Sequence, residues 1–476
     1  MIRTKLNTKN KLFVLKEKMR KMSIIALLLA VMFQWDILSA LELGRYEDEP
    51  IFGGTFYFEE HGSKNRLSLV LCHGTGDLGA KIWDEDIKYL AESYRVYAFD
   101  FPGFGRSEQK NELYSPENYA RFLKWFIDTY TTAPVYVIGH SMGGAISLYF
   151  AGMYPDSLDR LILVDAAGIL HRAAFTKNML DGLISGELKV GNKDLLEGPI
   201  SSLKYLMNST IESFDSSLMP DDMSSTLNIK LFREKALSGD PIRISAMAMI
   251  HTDFSRILGK VKAPTYIIWG EKDPIAPLRT GFLLATNIQK SYLAVLPGLE
   301  HSPMLEDPAT FRRILLKSLA QGEIKPFDKI RQKPFLSSNR ANKEVVKGNG
   351  IIIQGDFDLL EIKDSNYVNI ENTTANRIII DNSNVNIKNS VIRSQQTGIY
   401  VKNSILRLTG VSVYGNTAIK TNNSDLDIAG SYLQGQDSSL ESEFKSTVLF
   451  SVSQVDSPYQ SIYVHTVIKL FLGNKY

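Results

Sequence analysis

Residues 135–144 read VYVIGHSMGG, and the setting of the serine in that stretch decides the fold. Ahead of Gly139 the run APVYVI is apolar and β-branched and reads as a strand, while GAISLYFAGMY after it has helical spacing. Gly139, His140, Ser141, Met142 and Gly143 thus form a Gly-x-Ser-x-Gly turn between strand and helix. Such a turn holds a serine hydroxyl in the open, and its glycines remove the side chains that would clash across so sharp a bend. In this context Ser141 is a candidate nucleophile, where a bare five-residue match would be only a turn.

A serine hydroxyl is a poor nucleophile until a histidine takes its proton and a carboxylate orients that histidine. Serines at turns of this kind take their partners in the chain order serine, acid, histidine. Of seven histidines, His61, His73 and His140 precede or adjoin Ser141, which leaves His171, His251, His301 and His465. The candidate acid is Asp273 in YIIWGEKDPIAP, directly after an expected strand, and only His301 and His465 follow it. His465 lies in a repetitive region far along the chain, so His301 is the expected base. Asp165, closing the strand LILVD, is the alternative acid. HGTGDLGA, after the first long strand, supplies glycines that let backbone amides face the site; Thr75 and Met142 are the expected oxyanion-hole pair. His73 is expected to hold its loop rather than move protons.

Outward from this stretch, RLSLVLCHG, YRVYAFDFPG, LDRLILVDAAG and APTYIIWGEKD repeat the strand grammar, with helical runs such as PENYARFLKWFIDTYTT between them. Strands alternating with helices imply an α/β fold, a parallel sheet covered on both faces, with functional groups at the carboxyl ends of the strands. At 476 residues the chain is long enough for two domains. Its 54 basic and 52 acidic residues are nearly balanced, which gives no nucleic-acid footprint. The single cysteine, Cys72, excludes an intramolecular disulfide and reads as a core residue.

After residue 320 the grammar changes. Residues 321–346 are basic, polar and without apolar periodicity, as in a linker. Over 347–476 the segments DSNYVNI, NSNVNIKNS, NSILRLTGV and NSDLDIAGS recur, with Ser365, Ser383, Ser404 and Ser424 spaced 18, 21 and 20 residues apart. Short alternating strands at this period predict a β-solenoid, and the region resembles the right-handed parallel β-helix. Asn382, Asn403 and Asn423 each precede one of these serines, as turn residues that can ladder from coil to coil. With no acidic cluster in the repeat, a structural or binding role is expected.

The amino-terminal stretch MIRTKLNTKNKLFVLKEKMRKM carries eight basic residues and one acid, and SIIALLLAVMFQW follows. Thirteen apolar-rich residues are fewer than the roughly 20 a spanning helix needs, so residues 1–40 read as an export signal, cleaved after Ala40 or kept as a membrane anchor. The expectation is a protein exported to the periplasm or beyond.

HG, DFPGFGRS, GHSMGG, WGEKD and EHSPMLEDP, taken together, make residues 45–320 resemble the α/β-hydrolase superfamily in its serine esterase and lipase branch. The resemblance implies a triad of Ser141, Asp273 and His301, no metal or organic cofactor, and a helical lid over about 168–258. Serine at the elbow disfavours the dehalogenase and epoxide-hydrolase branches, which carry aspartate there. An exported carboxylesterase or lipase-like hydrolase of a small or lipid-like ester is therefore expected. Two alternatives stay open. HGTGDLGA loosely resembles the HGSGPGA stretch of the aromatic ring-cleavage hydrolases, which break carbon–carbon bonds, and departs from it at Asp77 and Leu78. The other is a non-catalytic envelope scaffold whose repeat binds glycan.

Overall fold

The computed structural model describes residues 44–76, 78–174, 224–320, 341–458 and 460–475. The expected export segment, residues 175–223 of the expected lid, and residues 321–340 of the expected linker lie outside the described residues. Among the described residues no helix is long and apolar enough to cross a membrane.

The first half is built on an eight-stranded sheet in the order β1-β2-β4-β3-β5-β6-β7-β8. These strands are β1 (Arg45–Glu49), β2 (Gly54–His61), β3 (Ser68–Cys72), β4 (Arg95–Phe99), β5 (Val135–His140), β6 (Arg160–Val164), β7 (Thr265–Gly270) and β8 (Ser291–Leu296). From β4 to β8 all neighbours are parallel; only β2 runs against its partners. β3, β6 and β7 are buried along their whole length, which is why they read as continuous apolar runs rather than as alternation. Helices cover both faces. On one, Phe56, Phe58, Phe99, Phe122 and Phe126 interlock edge to face beneath the helix Pro116–Tyr130. On the other, Trp83, Ile138, Ile268 and Phe311 form a separate core. Cys72 is buried in the sheet, and burial pushes its thiol up to about 12, as suits an inert core residue.

The second half is a stack of parallel strands in which each coil pairs with the next. Val385 faces Val368, Leu406 faces Val385, Leu426 faces Leu406 and Val448 faces Leu426, so one apolar column fills the interior. The linker ends sooner than its composition suggested. Ala341–Val346 is strand β9, parallel to β10 (Ile352–Lys363), because a strand this close to the first coil completes its hydrogen bonding. Strands β11 to β18 follow within residues 368–442.

The spaced serines have a backbone task. The N–H groups of Ser365, Ser383, Ser404 and Ser424 donate to the hydroxyls of Ser383, Ser404, Ser424 and Ser446 in the following coil, at 2.9–3.1 Å. Each turn places a residue in the left-handed region just before its serine: Asp364, Asn382, Asn403 and Asn423, with φ of 46–47°. Their side chains link coils, as in Asn423 Nδ2 to Asn403 Oδ1 at 3.0 Å. A second turn column runs Asn372, Asn389, Gly410, Gly430, Val452, all at positive φ. Past β19 (Ser446–Ser451) and β20 (Ser453–Ser457), two carboxyl-terminal strands, β21 (Gln460–Val464) and β22 (Val467–Leu470), fold back antiparallel onto β20 and β19 and end the stack.

That second column carries the solenoid onto the first half of the chain, against the helix Arg279–Asn287 that follows β7. Glycine replaces asparagine where the helix comes closest: a Cβ on Gly410 would lie 2.6 Å from Thr286 Cγ2, and one on Gly430 2.7 Å from Leu283 Cγ. Asn287 Nδ2 donates to Gly430 O at 3.2 Å, and Arg279 makes a two-pronged ion pair with Asp427 at 2.5 and 3.0 Å. Ala429, Leu449 and Val452 of the solenoid join the core of the first half. A second contact joins the segment after β6 to the last coils: His171 N–H donates to Ser451 Oγ at 3.0 Å and the His171 and His465 rings lie 4.9 Å apart.

Candidate active site

Ser141 sits between β5 and the helix Met142–Met153 with φ 52° and ψ −118°, the strained backbone that a nucleophile elbow requires. Its N–H donates to Val164 O at 3.0 Å, which fixes the turn to the neighbouring strand. The glycines are obligatory here. A Cβ on Gly139 would lie 2.3 Å from Gly143 O, and one on Gly143 2.5 Å from the carbonyls of Cys72 and His73.

His301 is carried by the loop after β8. Its Nε2 lies 2.9 Å from Ser141 Oγ, and its Nδ1 lies 2.8 Å from Asp273 Oδ2. Asp273, in the turn after β7, has its other oxygen occupied: Oδ1 accepts from the N–H groups of Ile275 and Ala276 at 2.8 and 3.0 Å. All three side chains are buried, with Ser141 5% and His301 6% exposed. Along the chain the three come in the order serine, acid, histidine, and in space His301 stands between Ser141 and Asp273.

Asp165 does not take the place of Asp273. It is fully buried at the end of β6, and its Oδ1 accepts from Gly270 N–H at 2.8 Å rather than from His301. A residue at the carboxyl end of β6 faces the end of β7, because the two strands pair directly, and so meets the Gly270 amide instead of the imidazole.

Two supports of the histidine loop were not evident from the sequence. His140 Nε2 lies 2.8 Å from His301 O, so the imidazole donates to that carbonyl and is the Nε2–H tautomer. Burial, then the His301 charge, pushes His140 down to about 3, so it stays neutral in its role. Glu306 brackets the loop by accepting from Glu300 N–H at 2.6 Å and Ser302 N–H at 2.7 Å. The spacing of Ser302 and Glu306 in HSPMLE was the one available signal.

The loop HGTG passes directly over the serine. A Cβ on Gly74 would lie 2.9 Å from Ser141 Cβ, so only glycine lets the chain come this close and set Thr75 beside the site. Met142 is the first residue of its helix, where an N–H has no intrahelical acceptor. His73 holds the loop as expected, accepting from Phe101 N–H at 2.8 Å through Nε2 and donating to Gly74 O through Nδ1. Asp100 of DFPGFGRS ties the same region together by accepting from Ala80 N–H and Arg106 N–H at 2.6 and 2.8 Å. Of the segment expected to form a lid, residues 168–174 and 224–258 are described, among them the helix Pro241–Ile250. Its Met249 packs on Gly168, and Arg233 anchors the preceding helix to the carbonyls of Leu227 and Asn111. Asp77, where the likeness to the ring-cleavage stretch breaks, lies outside the described residues.

The profile of the α/β hydrolase fold family matches residues 68–308, and the chain belongs to that family. Its curated relatives include the 2-hydroxy-6-oxo-6-phenylhexa-2,4-dienoate hydrolase of Burkholderia cepacia, 30% identical over 267 residues that make up 54% of this chain and 88% of that protein. The 2-hydroxy-6-oxononadienedioate/2-hydroxy-6-oxononatrienedioate hydrolase of Escherichia coli strain K12 is also 30% identical, over 260 residues, 53% of this chain and 87% of that protein. Among solved structures, an esterase from Exiguobacterium antarcticum aligns with 59% of this chain and all of its own, at 19% identity and a TM-score of 0.43. The profile match ends ahead of the solenoid half.

Proposed function

We propose that this hydrolase cleaves carboxylic esters through an acyl-serine intermediate, with Ser141 as nucleophile, His301 as base and Asp273 as the orienting carboxylate. The observation that carries the reading is the unbroken line from Ser141 Oγ to His301 Nε2 and from His301 Nδ1 to Asp273, at 2.9 and 2.8 Å. Ser141 Oγ attacks the acyl carbon as its proton passes to His301 Nε2, and the amides of Thr75 and Met142 receive the oxyanion. Collapse of the tetrahedral adduct breaks the bond to the alcohol, which leaves with the proton from His301. Water, deprotonated by the same nitrogen, then releases the acid and restores Ser141. An ester asks for no group beyond these, since its alkoxide leaving group needs only that one proton.

A second reading is carbon–carbon hydrolysis of a ring-cleavage product, favoured by the named activities of the two relatives at 30% identity. There the leaving group is a carbanion, and the substrate must be ketonised before the bond breaks. A fluorophosphonate probe should label the wild type and fail to label Ser141→Ala; equal labelling of both would sink the serine-hydrolase reading. Turnover of short and long p-nitrophenyl esters against ring-fission dienones then separates the two. Dienone turnover with inert esters would replace the first reading by the second. Export, membrane anchoring through residues 1–40 and glycan or envelope contact through the solenoid are proposed from the sequence pattern alone, and cell fractionation tests them.

A further inference from the structure

Beside the acid of the site lies a second carboxyl that the proposed chemistry does not use. Asp165 and Asp273 stand at the carboxyl ends of adjacent parallel strands, β6 and β7. Asp165 is fully buried, adopts φ 44°, and donates its own N–H to Ile268 O at 3.1 Å. Its Oδ1 is met by Gly270 N–H at 2.8 Å, but its buried Oδ2 meets no donor among the described residues. Its charged neighbours are Asp273 and Glu306, both acids. Asp273, by contrast, receives three donors: the Ile275 and Ala276 amides and His301 Nδ1–H.

Two carboxylates that act on each other from the ends of paired strands in a dry site do not readily both ionise, and the proton goes to the one with fewer donors to stabilise its charge. Asp273 is held as the anion by three donors and Asp165 by one. We propose that Asp165 is a protonated carboxylic acid whose Oδ2–H is directed to the Asp273 carboxylate, a positioning residue for the triad. Burial and then the Asp273 charge drive Asp165 well above the ordinary carboxylate range, in keeping with that assignment. The hydrogen bond, whose catalytic value rests on the reading of Asp273 as the orienter of His301, fixes the carboxylate's rotamer. It also leaves one negative charge, not two, behind the imidazole. Asp165 is thus built into the site without touching substrate.

Asp165→Asn keeps both halves of the geometry: Oδ1 for Gly270 N–H and an amide N–H for Asp273. Asp165→Ala removes both. Difference infrared spectra of the resting wild type against Asp165→Asn near neutral pH should show a protonated-carboxyl C=O band that the variant lacks. Absence of that band overturns the proposal. Thermal denaturation gives a second readout. The folded state must hold a proton that the unfolded chain releases above about pH 4, so the wild-type Tm should fall more than that of Asp165→Asn between about pH 5 and 8. Parallel curves overturn it. In turnover, Asp165→Ala should lose roughly tenfold in kcat at little change in KM, with Asp165→Asn recovering most of the loss. If Asp165→Asn instead lowers the acid limb of the kcat/KM profile by about one pH unit, as removal of a full negative charge would, Asp165 is ionised and the proposal fails. The infrared and thermal readouts need no turnover, so an enzyme inert towards esters would remove the proposed activity without deciding the state of Asp165.

Discussion

At the scale of single residues, reactivity depends on how few freedoms the three candidate groups retain. Ser141 is held by a left-handed backbone, Asp273 by two amides, and His301 by contacts on either side of it. Ser141→Ala is expected to lower turnover by at least about 10⁴-fold, the scale on which loss of a triad member acts; steady-state kinetics on the preferred ester checks this. His140→Leu should cost roughly tenfold in kcat, because it leaves His301 O unmet and frees the loop that aims the imidazole. That variant should still take up the fluorophosphonate, more slowly, since the nucleophile and base are intact. The serine, acid and histidine were legible in the sequence because their order along the chain is imposed by the fold. Asp165 was legible as an acid at a strand end but not in its role, because which of two neighbours a strand-end residue faces depends on the pairing of β6 with β7.

At the scale of elements, the solenoid shows how a repeat satisfies its own backbone. Ser404 Oγ accepts Ser383 N–H at 2.9 Å and bonds back to Lys402 O. Ser404→Ala should therefore destabilise the stack by about 1–3 kcal/mol, the cost of a buried N–H left without an acceptor, measured by chemical denaturation. Gly430→Ala should cost about 2 kcal/mol or more, since it adds left-handed strain to a clash with Leu283. Gly473, also at positive φ but with nothing within 4 Å of where a Cβ would stand, is the control, and alanine there should cost only about 1 kcal/mol. The serine period was visible in the sequence, whereas the change from Asn389 to Gly410 and Gly430 carried a meaning visible only once the helix Arg279–Asn287 lay against it.

At the scale of the whole molecule, the two halves share a core and a buried ion pair. Arg279→Met should destabilise the protein by about 2–3 kcal/mol, somewhat under the usual cost of breaking a buried pair because Arg407 still lies 3.5 Å from Asp427. Deletion of residues 341–476 should lower the Tm of the hydrolase half, since it bares the faces that Ala429, Leu449 and Val452 cover. The interface also carries a pH dependence. Burial, then the neighbouring His465, lowers His171 to about 3, below its unfolded value near 6.5. The unfolded chain therefore binds the proton first, and stability is lost as pH falls from about 6.5 towards 3. His171→Asn should remove about 2 kcal/mol of the loss between pH 7 and pH 5, read from denaturation midpoints at the two values.

The sequence by itself determined the architecture of each half and the identity of the triad candidates. Strand periodicity, turn glycines and the serine, acid, histidine order are local or one-dimensional properties that survive without coordinates. The tertiary structure decided what faces what: Asp165 towards the Gly270 amide, His140 towards His301 O, and the solenoid's glycine turns towards Leu283 and Thr286. Those pairings join residues more than 100 positions apart along the chain, 161 in the case of His140 and His301. They are fixed by strand order and packing distance, which no local pattern of residues encodes.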